Sequence, residues 1–173
     1  MIALYIIAGI ALFIIMLVLV APTDFKMERE IVINKPKDEV FAYLKSLKNQ
    51  DNWSPWNMKD PNMKKEFKGT DCTVGCVAAW DSQDKNVGKG EQEIIKITEG
   101  ERVDFELRFE KPMKATNSAF LLAKSMGTNA TTVTWGFSGV SKRPMNVMTL
   151  LMKGMLAKAF NDGLSNMKKI LEK

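Results

Sequence analysis

The sequence predicts an α+β domain, a curved antiparallel sheet wrapped round a long final helix, carried behind one membrane-spanning helix. Three observations carry this expectation. Residues 1–21 contain no charged side chain. From Lys64 to Gly139 the chain is strand-like almost throughout, with Gly, Asn and Asp breaks at hairpin spacing. From Met145 to Leu171 apolar residues recur at three- and four-residue steps, the period of one helix face.

The apolar run comes first. At about 1.5 Å rise per residue a helix of this length crosses the ~30 Å hydrocarbon core of a bilayer with its peptide groups satisfied internally. A cleaved leader is the competing reading. Against it, no Lys or Arg precedes the run, the run exceeds an ordinary leader core, and Ala21 is followed by Pro22. A retained anchor over residues 1–21 is therefore expected, then a linker over 22–27 and a domain over 28–173. Lys26, Arg29, Lys35 and Lys37 follow the span, so the positive-inside rule puts the domain in the cytoplasm. The roughly 150 remaining residues suit one domain with a single core.

Within the domain, Arg29 to Asn34 reads as a strand with Ile31 and Ile33 on one face. Pro36 opens a helix whose Val40, Phe41, Leu44 and Leu47 share a face, closing near Lys48. Pro55 and Pro61 then exclude a long regular element, which leaves a loop or short helical turn carrying Trp53 and Trp56. Six strands follow near 64–69, 73–80, 89–98, 102–111, 115–126 and 130–138. The clearest alternation sets Val103, Phe105, Leu107 and Phe109 against Arg102, Asp104, Glu106 and Arg108. In the final helix Met148, Leu151, Met152, Met155, Leu156, Ala159, Phe160, Leu164, Met167 and Leu171 form the apolar stripe. Gly154 and Gly163 each cost that helix up to ~1 kcal/mol relative to Ala, which points to close packing or a bend.

Composition excludes several functions. With no histidine, the chain has no His-based nucleophile activation, no imidazole acid or base and no His-containing metal site. Cys72 and Cys76, read as lying on an extended strand ~13 Å apart, are too distant for a disulfide unless Gly75 makes a sharp bend, and their spacing is a weak metal signal. No phosphate-binding glycine loop occurs, so neither a metal nor another cofactor is implied. The net charge of +5 is dispersed among acids rather than gathered into a run, which disfavours nucleic-acid binding.

Five segments in order, REIVINKPKDEVFAYL, NWSPWNMKDPNMKKEFKG, VGKGEQEIIKI, GTNATTVTWGFSG and AFNDGLSNMKKILE, resemble the successive signatures of bacterial polyketide-cyclase-like SRPBCC proteins. The order of elements likewise resembles the helix-grip fold of the START and Bet v 1-like superfamily. The likeness covers about residues 26–172. It implies a deep apolar cavity between a seven-stranded sheet and the C-terminal helix, which relatives use to hold lipids, sterols, polyketides or other hydrophobic molecules.

In such a cavity Phe105, Phe109, Trp135 and Phe137 would form one wall and Met148, Met152 and Met155 the other; the competing reading is that they fill a solid core. Trp53 and Trp56 either gate the mouth or pack their loop, and Trp56 is included among the ligand-contacting candidates. Glu91 and Glu93 are the carboxylates placed to point inward if any does, with a solvated strand end as the alternative. No catalytic residue is assigned. Three functions remain open: a membrane-tethered binder of a hydrophobic small molecule or lipid, a cyclase- or dehydratase-like enzyme acting on an apolar carbonyl compound, and a protein-interaction module at the membrane with a collapsed cavity.

Overall fold

Alternation of apolar and polar side chains builds strands β1 (Asp24–Ile33), β2 (Lys64–Lys68), β3 (Val77–Asp81), β4 (Lys89–Thr98), β5 (Arg102–Lys111), β6 (Ala115–Ser125) and β7 (Thr131–Val140). The computed structural model describes residues 1–173, apart from the side chains of residues 150 and 151; Leu151 of the apolar stripe thus lies outside the described residues. The strands form one antiparallel sheet in the order β1-β7-β6-β5-β4-β3-β2, so β1 crosses to the far edge and pairs with β7. The helices are α1 (Ile2–Val20), α2 (Lys37–Leu44), α3 (Gln50–Trp53), α4 (Pro55–Lys59) and α5 (Asn146–Leu171).

One apolar core joins these layers. Ile33, Val103, Phe105, Leu121 and Val133 come from the inner sheet face, Val40, Phe41 and Leu44 from α2, and Phe160, Leu164 and Met167 from the second half of α5. Each is essentially removed from water. Burial of such side chains contributes roughly 1.5–3 kcal/mol apiece, which makes the C-terminal half of α5 the gripped half. Its first half carries exposed Met148, Met152 and Met155.

Three elements differ from expectation, each for an identifiable physical reason, and the Trp-bearing segment is short and helical as expected. β1 begins at Asp24 rather than after a linker ending at 27, because Phe25 and Met27 continue the inward alternation and pair with Gly139 and Phe137. α2 ends at Leu44 rather than near Lys48. There the Asp71 carboxylate accepts hydrogen bonds from the Ser46 hydroxyl at 2.6 Å and the Leu47 amide at 2.9 Å, competing with continuation of the helix. The Trp-bearing segment forms two short helices, α3 and α4, with Pro55 at the start of the second. β3 starts only at Val77, because Gly75 (φ +86°) turns the chain and the Gly75 amide donates to the Ile94 carbonyl at 2.8 Å. Cys72 and Cys76 therefore flank a turn rather than an extended strand, and both are free thiols. Burial, reinforced by the Asp71 carboxylate, pushes both thiols above the ordinary range.

The two helical glycines separate. A Cβ at Gly163 would meet the Trp135 ring at 2.9 Å and Pro55 at 3.0 Å, whereas one at Gly154 would enter open space. Gly163→Ala is expected to destabilise the domain by ~1–3 kcal/mol, and Gly154→Ala to stabilise it by up to ~1 kcal/mol. Thermal melts of the two variants check the opposite signs.

α1 is long and apolar enough to cross a membrane, with mean hydropathy 3.0 and no buried residue. Only residues 21–23 separate it from β1. A helix leaves its last carbonyls without intrahelical partners, and here the domain supplies them. Arg143 donates through Nε to the Val18 carbonyl (3.1 Å) and through Nη2 to the Leu19 carbonyl (3.0 Å). Asn146 Nδ2 donates to the Val18 and Ala21 carbonyls, both at 2.8 Å. The Arg143 cation also complements the negative end of the helix dipole.

Candidate functional site

The pairing registers place inward-facing residues in rows across the sheet. One row crosses all seven strands: Phe67, Ala78, Gln92, Leu107, Asn117, Gly139 and Phe25. Asn117 lies over the space that a side chain at Gly139 would fill, so the glycine makes room for the carboxamide. A second row runs through Lys65, Trp80, Gly90, Phe109 and Ala115. There the Trp80 ring covers Gly90, meets Phe109 edge-on at 5.8 Å, and donates from Nε1 to the Val87 carbonyl at 3.3 Å.

Along these rows α5 packs against the sheet chiefly at the β1 edge and stands off the strands beyond it. A cavity of about 480 Å³ separates them, floored by the inward side chains and roofed by Met152, Met155, Leu156 and Phe160. That volume lies in the range of small-molecule sites. Its inner end is closed by an aromatic cluster. Trp135 stacks on Phe160 at 4.1 Å between ring centroids, and Trp53 and Trp56 meet Trp135 edge-on at 4.9 and 5.8 Å. Asp51, bound by Lys65 at 2.8 Å and by the Asn57 amide at 2.8 Å, pins the α3–α4 segment to β2 along one side.

Of the residues singled out from the sequence, Trp56, Phe105, Phe109, Trp135, Phe137, Met152 and Met155 border the cavity. Met148 does not: it lies a turn nearer the start of α5, beyond the rim and 48% exposed. Trp53 is buried and packs the wall from behind. Sequence reasoning missed Gln92, Leu107 and Asn117 as cavity floor. The alternation on β5 carried Leu107, and Asn117 shares the parity of Ala119 and Leu121, which was its available signal.

Glu91 and Glu93 require a correction. A register shift between Ile94 and Lys96 reverses the parity along β4, so Gly90, Gln92 and Ile94 face inward and then Ile97 does. The two glutamates point to the outer face. Arg108 binds them there, through Nε to Glu91 at 2.6 Å and Nη2 to Glu93 at 2.7 Å, and through Nη1 to Glu106 at 2.6 Å. Three carboxylates hold Arg108 even more firmly protonated than an ordinary guanidinium. Neither glutamate can reach a molecule in the cavity. The ionisable groups that do border it are Asp51, Lys65, Lys85 and Lys111, each partly in solvent. Among the described residues no group of three or more Cys, Asp or Glu is arranged to hold a metal ion.

A curved seven-stranded antiparallel sheet gripping a long C-terminal helix defines the helix-grip class of folds. Residues 24–172 match the family described as polyketide cyclase/dehydrase and lipid transport, and the chain belongs to that family. Solved structures of the same fold include the Zhui aromatase/cyclase from Streptomyces sp. R1128, at 11% identity and a TM-score of 0.65 over 86% of this chain and 94% of that one. Norcoclaurine synthase from Thalictrum flavum matches at 12% identity and a TM-score of 0.63, over 89% of this chain and 98% of its own. A protein of the dynemicin biosynthetic locus matches at 16% identity and a TM-score of 0.60 over 86% of this chain, which spans about half of that protein's length (47%). No curated protein matches the chain.

Proposed function

We propose that this protein is a membrane-tethered binder of a hydrophobic small molecule or lipid, held in the cavity between the sheet and α5. The observation that carries the reading is the cavity itself: about 480 Å³, walled by aromatic rings and flexible methionines, with two carboxamides, Gln92 and Asn117, set in its floor. Apolar walls supply the affinity, thioether side chains adapt to shape, and the carboxamides offer donors and acceptors to a ligand carbonyl or hydroxyl. The α1 anchor holds the cavity at high effective concentration where apolar molecules partition. The cations that follow α1 favour a cytoplasmic domain.

A cyclase- or dehydratase-like enzyme is the second reading, favoured by the same two carboxamides, which are placed to polarise a bound carbonyl. With Glu91 and Glu93 turned outward, acid–base chemistry would fall to Asp51 or Lys65.

Native mass spectrometry of residues 22–173, purified without detergent and followed by extraction and identification of the bound molecule, tests the first reading. A stoichiometric apolar adduct is expected. A homogeneous apo mass that takes up neither fatty acid nor sterol probes would remove it.

A further inference from the structure

The topology places the cavity mouth and the anchor at the same end of the sheet. Asp24, the first residue of β1, pairs with Val140, the last of β7. The neighbouring registers carry that edge across to the start of β6, the end of β5, the start of β4 and the end of β3. The connections at this end are 60–63, 82–88, 112–114 and 141–145, and Lys85, Val87, Pro112, Met113 and Ser141 from them border the cavity. Residues 21–23 span at most ~10 Å at about 3.3–3.6 Å per residue. Arg143 and Asn146, at the β7–α5 junction, grip the end of α1 directly.

This end is also apolar at its tips and basic around them. Met113, Val140 and Met148 are each about half exposed. These four connections hold Lys85, Lys114, Lys142 and Arg143 against two acids, Asp60 and Asp84, whereas those at the opposite end (34–36, 69–76, 99–101, 126–130) hold Lys35 against Asp71, Glu99 and Glu101. Apolar tips ringed by cations suit the headgroup layer of an anionic leaflet.

Resting on the reading of α1 as a membrane span, we propose that the 112–114 and 141–145 loops and the Met148 face of α5 sit in the headgroup layer of the leaflet from which α1 emerges. The cavity then opens onto the bilayer rather than into water. Its ligand enters from the lipid phase.

The full chain in nanodiscs containing a diazirine-bearing phosphatidylserine tests this, with adducts mapped by peptide mass spectrometry. Adducts are expected on α1, on Met113 and on residues 140–148, and not at Met126, which is exposed at the opposite end. The double variant Lys114→Glu/Lys142→Glu, altering two exposed lysines that do not line the cavity, should cut the Met113 adduct at least fivefold. The α1 yield and the melting temperature should stay unchanged. Adducts on α1 alone would overturn the proposal while leaving the tether intact. No adduct even on α1 would overturn both. Two chains per disc with residues 111–152 free of lipid would assign the face to self-association and overturn it as well. Ligand occupancy of residues 22–173 is scored separately, so cavity binding stands or falls independently.

Discussion

Trp135→Ala is expected to be the most damaging single change in the domain. The ring stacks on Phe160 at 4.1 Å and receives the edges of Trp53 and Trp56, so it joins the sheet, α3, α4 and α5 at one point. Its removal leaves those three aromatic side chains without their common partner, beside a cavity that already lacks support from within. Large aromatic truncations of this kind cost roughly 3–5 kcal/mol, which for a domain of about 150 residues lowers the melting temperature by about 10 °C or more. Trp135→Phe keeps one ring and should lose less than half as much. Thermal melts followed by near-ultraviolet circular dichroism check both. A loss below about 1 kcal/mol for the alanine variant would mean that the cluster does not hold the helix to the sheet.

Leu107→Trp is expected to abolish ligand binding without harming the fold. Leu107 stands mid-row on the cavity floor, between Gln92 and Asn117. A larger side chain there grows into empty space rather than into packed neighbours, so the usual overpacking penalty does not apply. The indole takes the volume that a ligand would occupy. Bound apolar molecule should fall at least tenfold, about 1.4 kcal/mol, with an equal or higher melting temperature. Full occupancy in this variant would place the ligand elsewhere on the protein.

Where a local rule decided the outcome, the fold was legible in the residues. The strict alternation of β5, with Gly100 before it, predicted 102–111 to the residue, and β4 was equally clear from its bounding turns. The long apolar stripe predicted α5 to within one residue of its start. Non-local effects were not legible. The bulge in β4 depends on its pairing with β5, and it alone decides that Gln92 rather than Glu91 or Glu93 faces inward. The end of α2 depends on Asp71, more than twenty residues away. The cavity was the least readable feature, because Phe105, Phe109, Trp135 and Phe137 would show the same pattern in a solid core. Emptiness is a property of the spacing between sheet and helix, which no single stretch of chain encodes. Met148 shows the limit of periodicity, which assigns it to the right face of α5 but not to a position along the cavity.

The aromatic lining has a spectroscopic consequence. Of the chain's four tryptophans, Trp56, Trp80 and Trp135 border the cavity and Trp53 lies directly behind Trp135. Nearly all of the ultraviolet-excited emission of this protein therefore originates within a few ångströms of the space that a ligand would fill. Filling that space changes the polarity and quenching around every emitting ring at once, so the unlabelled protein carries its own optical gauge of occupancy.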